Sequence, residues 1–231
     1  MALYAIADLH LPLGIDKPMN IFGKSWENYV SRLEENWQKT VSEEDTVVLA
    51  GDFSWATYLE ESKKDFEFLN KLNGKKIMLK GNHDYWWGTL NKLKEFLKDN
   101  GFFDIEFLQN NSFSYKDISI CGSRGWTLPQ LKGSDEDLKI YARELLRLEM
   151  SLKSAENPEK IFVFTHFPPV MRDLCENEIT ELFKKYDVKK AIYGHIHSSG
   201  IKNAFEGDLN GTDYSLVSAD YRQFVPVKIA D

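Results

Sequence analysis

Five short apolar runs, rich in Ile, Val, Leu and Phe, each stop at a polar residue: LYAIAD (3–8), TVVLAGD (46–52), KKIMLKGN (75–82), KIFVFTH (160–166) and KKAIYGH (189–195). Unbroken apolar runs of this length are the pattern of strands buried on both faces. Between the first three lie SWENYVSRLEENWQKTV (25–41), TYLEESKKDFEFLNKL (57–72) and TLNKLKEFLKDN (89–100), whose apolar residues recur every three or four positions and predict helices. Such alternation implies βαβ units and a largely parallel sheet, an α/β protein.

From Ile105 to Trp126 the helical period disappears and short strand-like pieces alternate with turn residues. A longer helix is expected to open at Ser134, with Asp137 three residues on as a capping-box-like start, and to run to about Ala155. After GHIH the tail mixes strand-like pieces with Gly, Asn and Asp turns, which predicts antiparallel strands. With no internal repeat, low-complexity segment or linker, the simplest expectation is one domain over residues 1–231 containing two sheets.

The residues that close the apolar runs carry the chemistry. They are Asp8 and His10 in ADLH, Asp52 in AGDF, Asn82, His83 and Asp84 in GNHD, His166 in FTHF, and His195 and His197 in GHIH, and all five histidines of the chain fall in this set. Ligand sites of open α/β sheets lie beyond the carboxyl ends of strands, so these distant residues can converge. Imidazole nitrogen with carboxylate and amide oxygen, and no thiolate, suits Mn, Fe, Zn, Co or Ni. So many candidates exceed what one ion needs, and two ions sharing a carboxylate would use them. His195 and His197 point the same way in an extended segment, which puts two imidazoles on one face.

Charge narrows the partners. A net charge of -7 argues against nucleic acid or an anionic membrane surface, and any anionic substrate needs a local positive site. MALYAIAD has no basic region and its apolar run stops at Asp8, so neither a signal peptide nor a membrane span is expected there. Cys121 and Cys175 do not make a disulfide framework, and both are read as reduced thiols of a cytoplasmic protein.

The ordered series D-x-H, GD, GNHD, a lone H after a strand, and GHxH resembles the calcineurin-like metallophosphoesterases over Asp8 to His197. The resemblance implies a two-sheet β-sandwich flanked by helices, an αββα arrangement, with two first-row metal ions above it. It places Asp8, His10, Asp52 and His197 around the first ion and Asp52, Asn82, His166 and His195 around the second, with Asp52 as the bridge. His83 matches the family's substrate-facing catalytic histidine and Asp84 its partner, although Asp84 also reads as a helix cap for the segment that follows. With two divalent ions, two aspartates and a bridging hydroxide, the formal charge of such a site is about +1, an anion-binding centre in an acidic protein.

GDFSW and GNHD depart from the x-x-D-R and GNHE of the protein serine/threonine phosphatase branch, which puts phosphoprotein in doubt as the substrate. A small-molecule phosphomonoester or phosphodiester is the preferred substrate class; a nuclease, or a non-catalytic scaffold of the kind found in retromer, is the alternative. The sequence says nothing of oligomeric state. Arg124 in GSRGW and Arg172 in FPPVMRD are candidates to hold phosphate oxygens, and Trp86, Trp87 and Trp126 to wall a pocket. Surface charge for the arginines and core filling for the tryptophans are the competing readings.

Overall fold

Runs that are apolar at every position must be covered on both faces, and a computed structural model of the chain, which describes residues 1–131, 133–173 and 176–231 apart from the Phe22 side chain, shows how this is done. One sheet contains β1 (Leu3–Ile6), β2 (Thr46–Ala50), β3 (Lys75–Leu79), β4 (Ile105–Phe107) and β11 (Val227–Ala230), in the order β11-β1-β2-β3-β4. The other contains β5 (Phe113–Tyr115), β6 (Ile118–Ser123), β7 (Ile161–Thr165), β8 (Val188–Tyr193), β9 (Gly207–Leu209) and β10 (Thr212–Leu216), in the order β5-β6-β7-β8-β10-β9. Strands β1 to β4 pair in parallel, as do β6, β7, β8 and β10, while β11, β5 and β9 add antiparallel edges.

Alternate residues of each strand enter different cores. Leu3, Ala5, Val48, Ile77 and Leu79 face Ile118, Ile120, Phe162, Phe164 and Ile192 between the sheets. Tyr4, Ile6, Val47, Leu49 and Met78 pack outward against Leu33 and Trp37 of α1 (Tyr29–Thr40), Phe66 and Leu69 of α2 (Lys63–Lys71), and Leu93 and Leu97 of α3 (Leu90–Asn100). On the opposite side Cys121, Val163, Ala191, Tyr193 and Leu216 pack against Tyr141 and Leu148 of α4 (Asp135–Lys153) and Ile179 and Phe183 of α5 (Glu178–Lys185). The result is the helix-flanked two-sheet sandwich of the α/β class.

The differences from the sequence reading are local. Helices α1 and α2 start later than the apolar period suggests: Asn28 adopts a left-handed conformation before α1, and turns occupy the residues ahead of α2. The Ser134 capping box is present, with both of its hydrogen bonds, and Thr89 caps α3, so Asp84 is not that helix's cap. Helix α5 is too short for its period to stand out, although Asn177 and Thr180 form a second capping box. The tail is not wholly antiparallel: the turn of 3-10 helix at Ser198–Asn203 leads the chain back through β9, so that β10 runs parallel to β8.

Cys121 is a buried free thiol pushed up to about 12 by burial, and Cys175 lies outside the described residues. Among the described residues no helix is long and apolar enough to cross a membrane.

Candidate metal centre

The parallel strands of both sheets deliver their carboxyl ends to one place. Beyond β1 the chain crosses between the sheets: the Ala7 N–H donates to the Val217 carbonyl at 2.9 Å and the Asp8 N–H to the Gly51 carbonyl at 2.9 Å. Asp8, His10, Asp52 and His195 all have positive φ, at 62°, 48°, 52° and 70°. Left-handed backbone at non-glycine residues is uncommon and concentrates at functional sites. Here it ends each strand abruptly and turns its side chain toward the neighbouring strand end.

Two glycines of the motifs make the approach possible. A Cβ on Gly81 would stand 2.1 Å from Asp52 Oδ1, and one on Gly194 would stand 2.7 Å from Asp8 Oδ2. Only a residue without a side chain fits there. The glycines of GNHD and GHIH thus let the chain lie directly against the two aspartates.

All seven residues expected as ligands come together. His197 Nε2 lies 3.2 Å from Asp8 Oδ1, and Asp52 Oδ2 is 3.7 Å from His10 Nε2 and 3.5 Å from His166 Nε2. The Asn82 Oδ1 is 2.7 Å from His166 Nε2 and 2.9 Å from His195 Nδ1, and those two nitrogens are 3.3 Å apart. Among the described residues, ligand atoms within 4.8 Å of one another occur in the sets Asp8–His10–His197, Asp8–Asp52–His166 and His10–Asp52–His83. Asp52 belongs to two of the three sets.

The electrostatics suit cations. Asp8 and Asp52 are wholly buried, and burial alone would raise both carboxyls. His197 outweighs it at Asp8; His166, His83 and His10 outweigh it at Asp52, so both are held below the usual carboxylate range. Burial lowers His10 to about 4, and burial with His166 lowers His195 to about 4, which leaves both imidazoles neutral and able to bind a metal. Burial would also lower His197, but Asp8 and Asp220 raise it to about 10. The buried Nδ1 of His10 has no hydrogen-bond partner among the described residues. Buried nitrogens without partners are costly unless something else takes the lone pair. The donor set and this unpartnered nitrogen fit first-row metal ions.

His83 and Asp84 do not form the expected couple. His83 places Nδ1 2.7 Å from Asp52 Oδ2, and its backbone N–H donates to Asp52 Oδ1 at 2.8 Å. Asp84 is fully buried and accepts from the N–H groups of Gly81 (2.8 Å), Phe53 (2.9 Å), Asp52 (3.0 Å) and Ser54 (3.3 Å), and from the Trp86 indole (3.1 Å). It ties the GNHD turn to the AGDF turn and does not hold the His83 ring. That corrects the expected pairing with the His83 ring: five donors converge on a carboxylate that the two turns share.

The flanking candidates divide as well. Arg124 is largely buried, stacked 4.4 Å over Trp126 and 3.2 Å from Glu144, whereas Arg172 is exposed. Trp86 and Trp87 are buried in the core beneath α3, and Trp87 also lines a cavity with Lys80 and Arg124. Trp126 lines a groove of about 330 Å³ with Leu128, Phe167, Met171, His195 and His197.

Two contributors escaped the sequence reading. Asp220 accepts from His197 Nδ1 at 2.8 Å, and the Trp55 indole stacks on His10 with ring centres 4.6 Å apart. Asp220 lies beyond the last motif, and no spacing marks it. Trp55 sits three residues after Asp52, and an aromatic so close to a ligand motif was the available signal.

A helix-flanked two-sheet sandwich with aspartate, asparagine and histidine converging at its strand ends defines a phosphoesterase architecture. The family model of the calcineurin-like phosphoesterases matches residues 1–199, and the chain belongs to that family, whose activity is hydrolysis of phosphoesters. The fold is also that of several solved structures. A protein of unknown function from Aquifex aeolicus, AQ665, is 20% identical with a TM-score of 0.52, over 98% of this chain and 95% of that one. Phosphopantetheinyl hydrolase from Mycobacterium tuberculosis is 13% identical with a TM-score of 0.60, over 99% and 95%. TT1561 of Thermus thermophilus is 12% identical with a TM-score of 0.57, over 99% and 97%. No curated protein matches the chain.

Proposed function

We propose that the protein is a dinuclear metal phosphoesterase acting on a small-molecule monoester or diester. The observation that carries this reading is the position of Asp52, between a donor set formed by Asp8, His10 and His197 and another formed by Asn82, His166 and His195. First-row ions held by these two sets would supply Lewis-acid polarisation of phosphoryl oxygens and an activated water.

The protein's own residues set the rest. Asp52 joins the two halves and keeps its charge against burial. His83, partly exposed beside it, would donate a proton to the departing oxygen of the ester. Trp55 and Trp26 pack around His10, which limits water on that side, while the groove lined by Trp126 and Phe167 offers an apolar surface to the organic part of a substrate. A groove of about 330 Å³ suits a small molecule better than a macromolecule.

The test is a screen of phosphomonoesters, phosphodiesters and nucleotides with metal content measured on the same sample. Cleavage of a small ester by metal-loaded protein is expected. No cleavage with any of Mn, Fe, Zn, Co or Ni would overturn the reading in favour of a non-catalytic scaffold.

A further inference from the structure

Next to the metal centre is a second cavity, of about 290 Å³, in which Lys80, Arg124, Arg143 and Arg147 face the single carboxylate of Glu144. The protein as a whole is acidic, so four cations lining one concavity stand against its overall balance. Their mutual repulsion costs free energy that a bound anion would offset.

The cations are only partly satisfied. Glu144 is buried, and one of its oxygens, Oε1, accepts from Arg147 Nη1 at 2.7 Å and Arg124 Nη2 at 3.2 Å. A guanidinium has five N–H donors, so one shared oxygen leaves most of them open. Arg124 Nε is buried without a hydrogen-bond partner among the described residues, and Lys80 and Arg143 enter no ion pair there. Forked guanidinium donors around a pocket match the oxygens of a phosphoryl group.

The cavity is tied to the metal centre by chain geometry. Lys80 follows β3 directly and precedes Asn82 by two residues. Arg124 follows β6, and its carbonyl accepts the N–H of His166 at 3.1 Å and of Phe167 at 2.9 Å. Its guanidinium stacks on Trp126, which also lines the groove containing His195 and His197. One stacked arginine–tryptophan pair therefore borders both the basic cavity, through Arg124, and that groove, through Trp126.

We propose that the basic cavity binds a second phosphoryl group of the substrate, so that the preferred substrate is a small organic bisphosphate whose other phosphate lies at the metal centre. This rests on the reading of that centre as the place of reaction. Arg124 and Lys80 form the inner wall, and Arg143 and Arg147, one helical turn apart on α4, close the outer side.

The experiment is calorimetric titration of manganese-loaded protein with alkane-α,ω-bisphosphonates of increasing chain length and with the matching alkylphosphonates, which cannot be hydrolysed. One chain length should bind about tenfold or more tightly than its monophosphonate, the scale of a charge-assisted contact. The Arg143→Ala, Arg147→Ala double variant should lose that gain, and Arg143→Ala alone, at an exposed position, should lose part of it. Equal binding of bisphosphonates and monophosphonates at every length would overturn the proposal. So would a gain that survives in both variants, or inorganic phosphate filling the cavity without competing with the bisphosphonate, which would mark a separate anion site. Because binding is read without turnover, failure of the substrate screen would count against the metal-centre reading and leave this result distinct.

Discussion

His197 donates its Nδ1 proton to Oδ1 of Asp220 across 2.8 Å. A carboxylate can only accept, so the bond fixes the tautomer and turns Nε2 toward Asp8, 3.2 Å away. Carboxylate partners of ligating histidines commonly set metal affinity by roughly 10- to 100-fold. Asp220→Asn should therefore weaken one ion by about that factor and leave the other in place, read by metal titration. Unchanged affinity for both would show that Asp220 does not orient a ligand.

His83 separates two kinds of contribution. Its Nδ1 rests on Asp52 Oδ2 at 2.7 Å and its side chain is 34% exposed, so it reaches both the centre and solvent. His83→Ala should retain both metals and lose roughly 10²–10⁴-fold in kcat on an alkyl ester, whose leaving group needs a proton. The loss should be small on a nitrophenyl ester. Equal losses on the two esters would mean that His83 acts through charge or binding alone, and lost metals would make it a ligand.

Asp84 tests stability. Replacing it by Ala would strand several buried N–H donors, each costing about 1–3 kcal/mol when unsatisfied. Asp84→Ala should lose at least about 3 kcal/mol in chemical denaturation. A loss below about 1 kcal/mol would show that the AGDF and GNHD turns do not depend on this carboxylate.

Much of the fold could be read because its strands are covered on both faces, so that LYAIAD, TVVLAGD, KKIMLKGN, KIFVFTH and KKAIYGH stand out as unbroken apolar runs. The candidate ligands could be read because each ends such a run. Pairing direction was not encoded in the same way. The tail's turn residues mark where β9 and β10 end, but only the path through Ser198–Asn203 decides that β10 lies parallel to β8. The partner of a polar side chain was hidden too: GNHD places Asp84 beside His83 in sequence, whereas the turn directs its carboxylate into the backbone of residues 52–54. Asp220 depends on a contact across 23 positions that no local pattern reveals.

Asp65 gives a pH signature away from the reaction. It is fully buried on α2, accepts from the Leu13 N–H at 2.8 Å and is hydrogen-bonded by the Ser54 hydroxyl, yet burial dominates and raises it from 3.8 to about 7. The folded state therefore holds this proton more tightly than the unfolded chain. Its contribution is fully present below pH 3.8 and is lost as pH rises through about 7. Asp65→Asn, which keeps the shape and stays neutral, should flatten that part of the stability curve and gain on the wild type toward neutral pH. Parallel melting curves for the two proteins across this range would contradict it.

The central claim is a pair of metal sites joined by Asp52, and the most direct measurement is turnover of a phosphoester alongside bound metal per chain, during chelation and refilling of the wild type and of Asp52→Asn. The wild type should lose turnover as metal is removed and regain it with Mn, Co or Ni as both sites fill, while Asp52→Asn should lose both ions or nearly all activity. Full turnover by metal-free protein, or an Asp52→Asn variant that keeps its metals and its rate, would contradict the account.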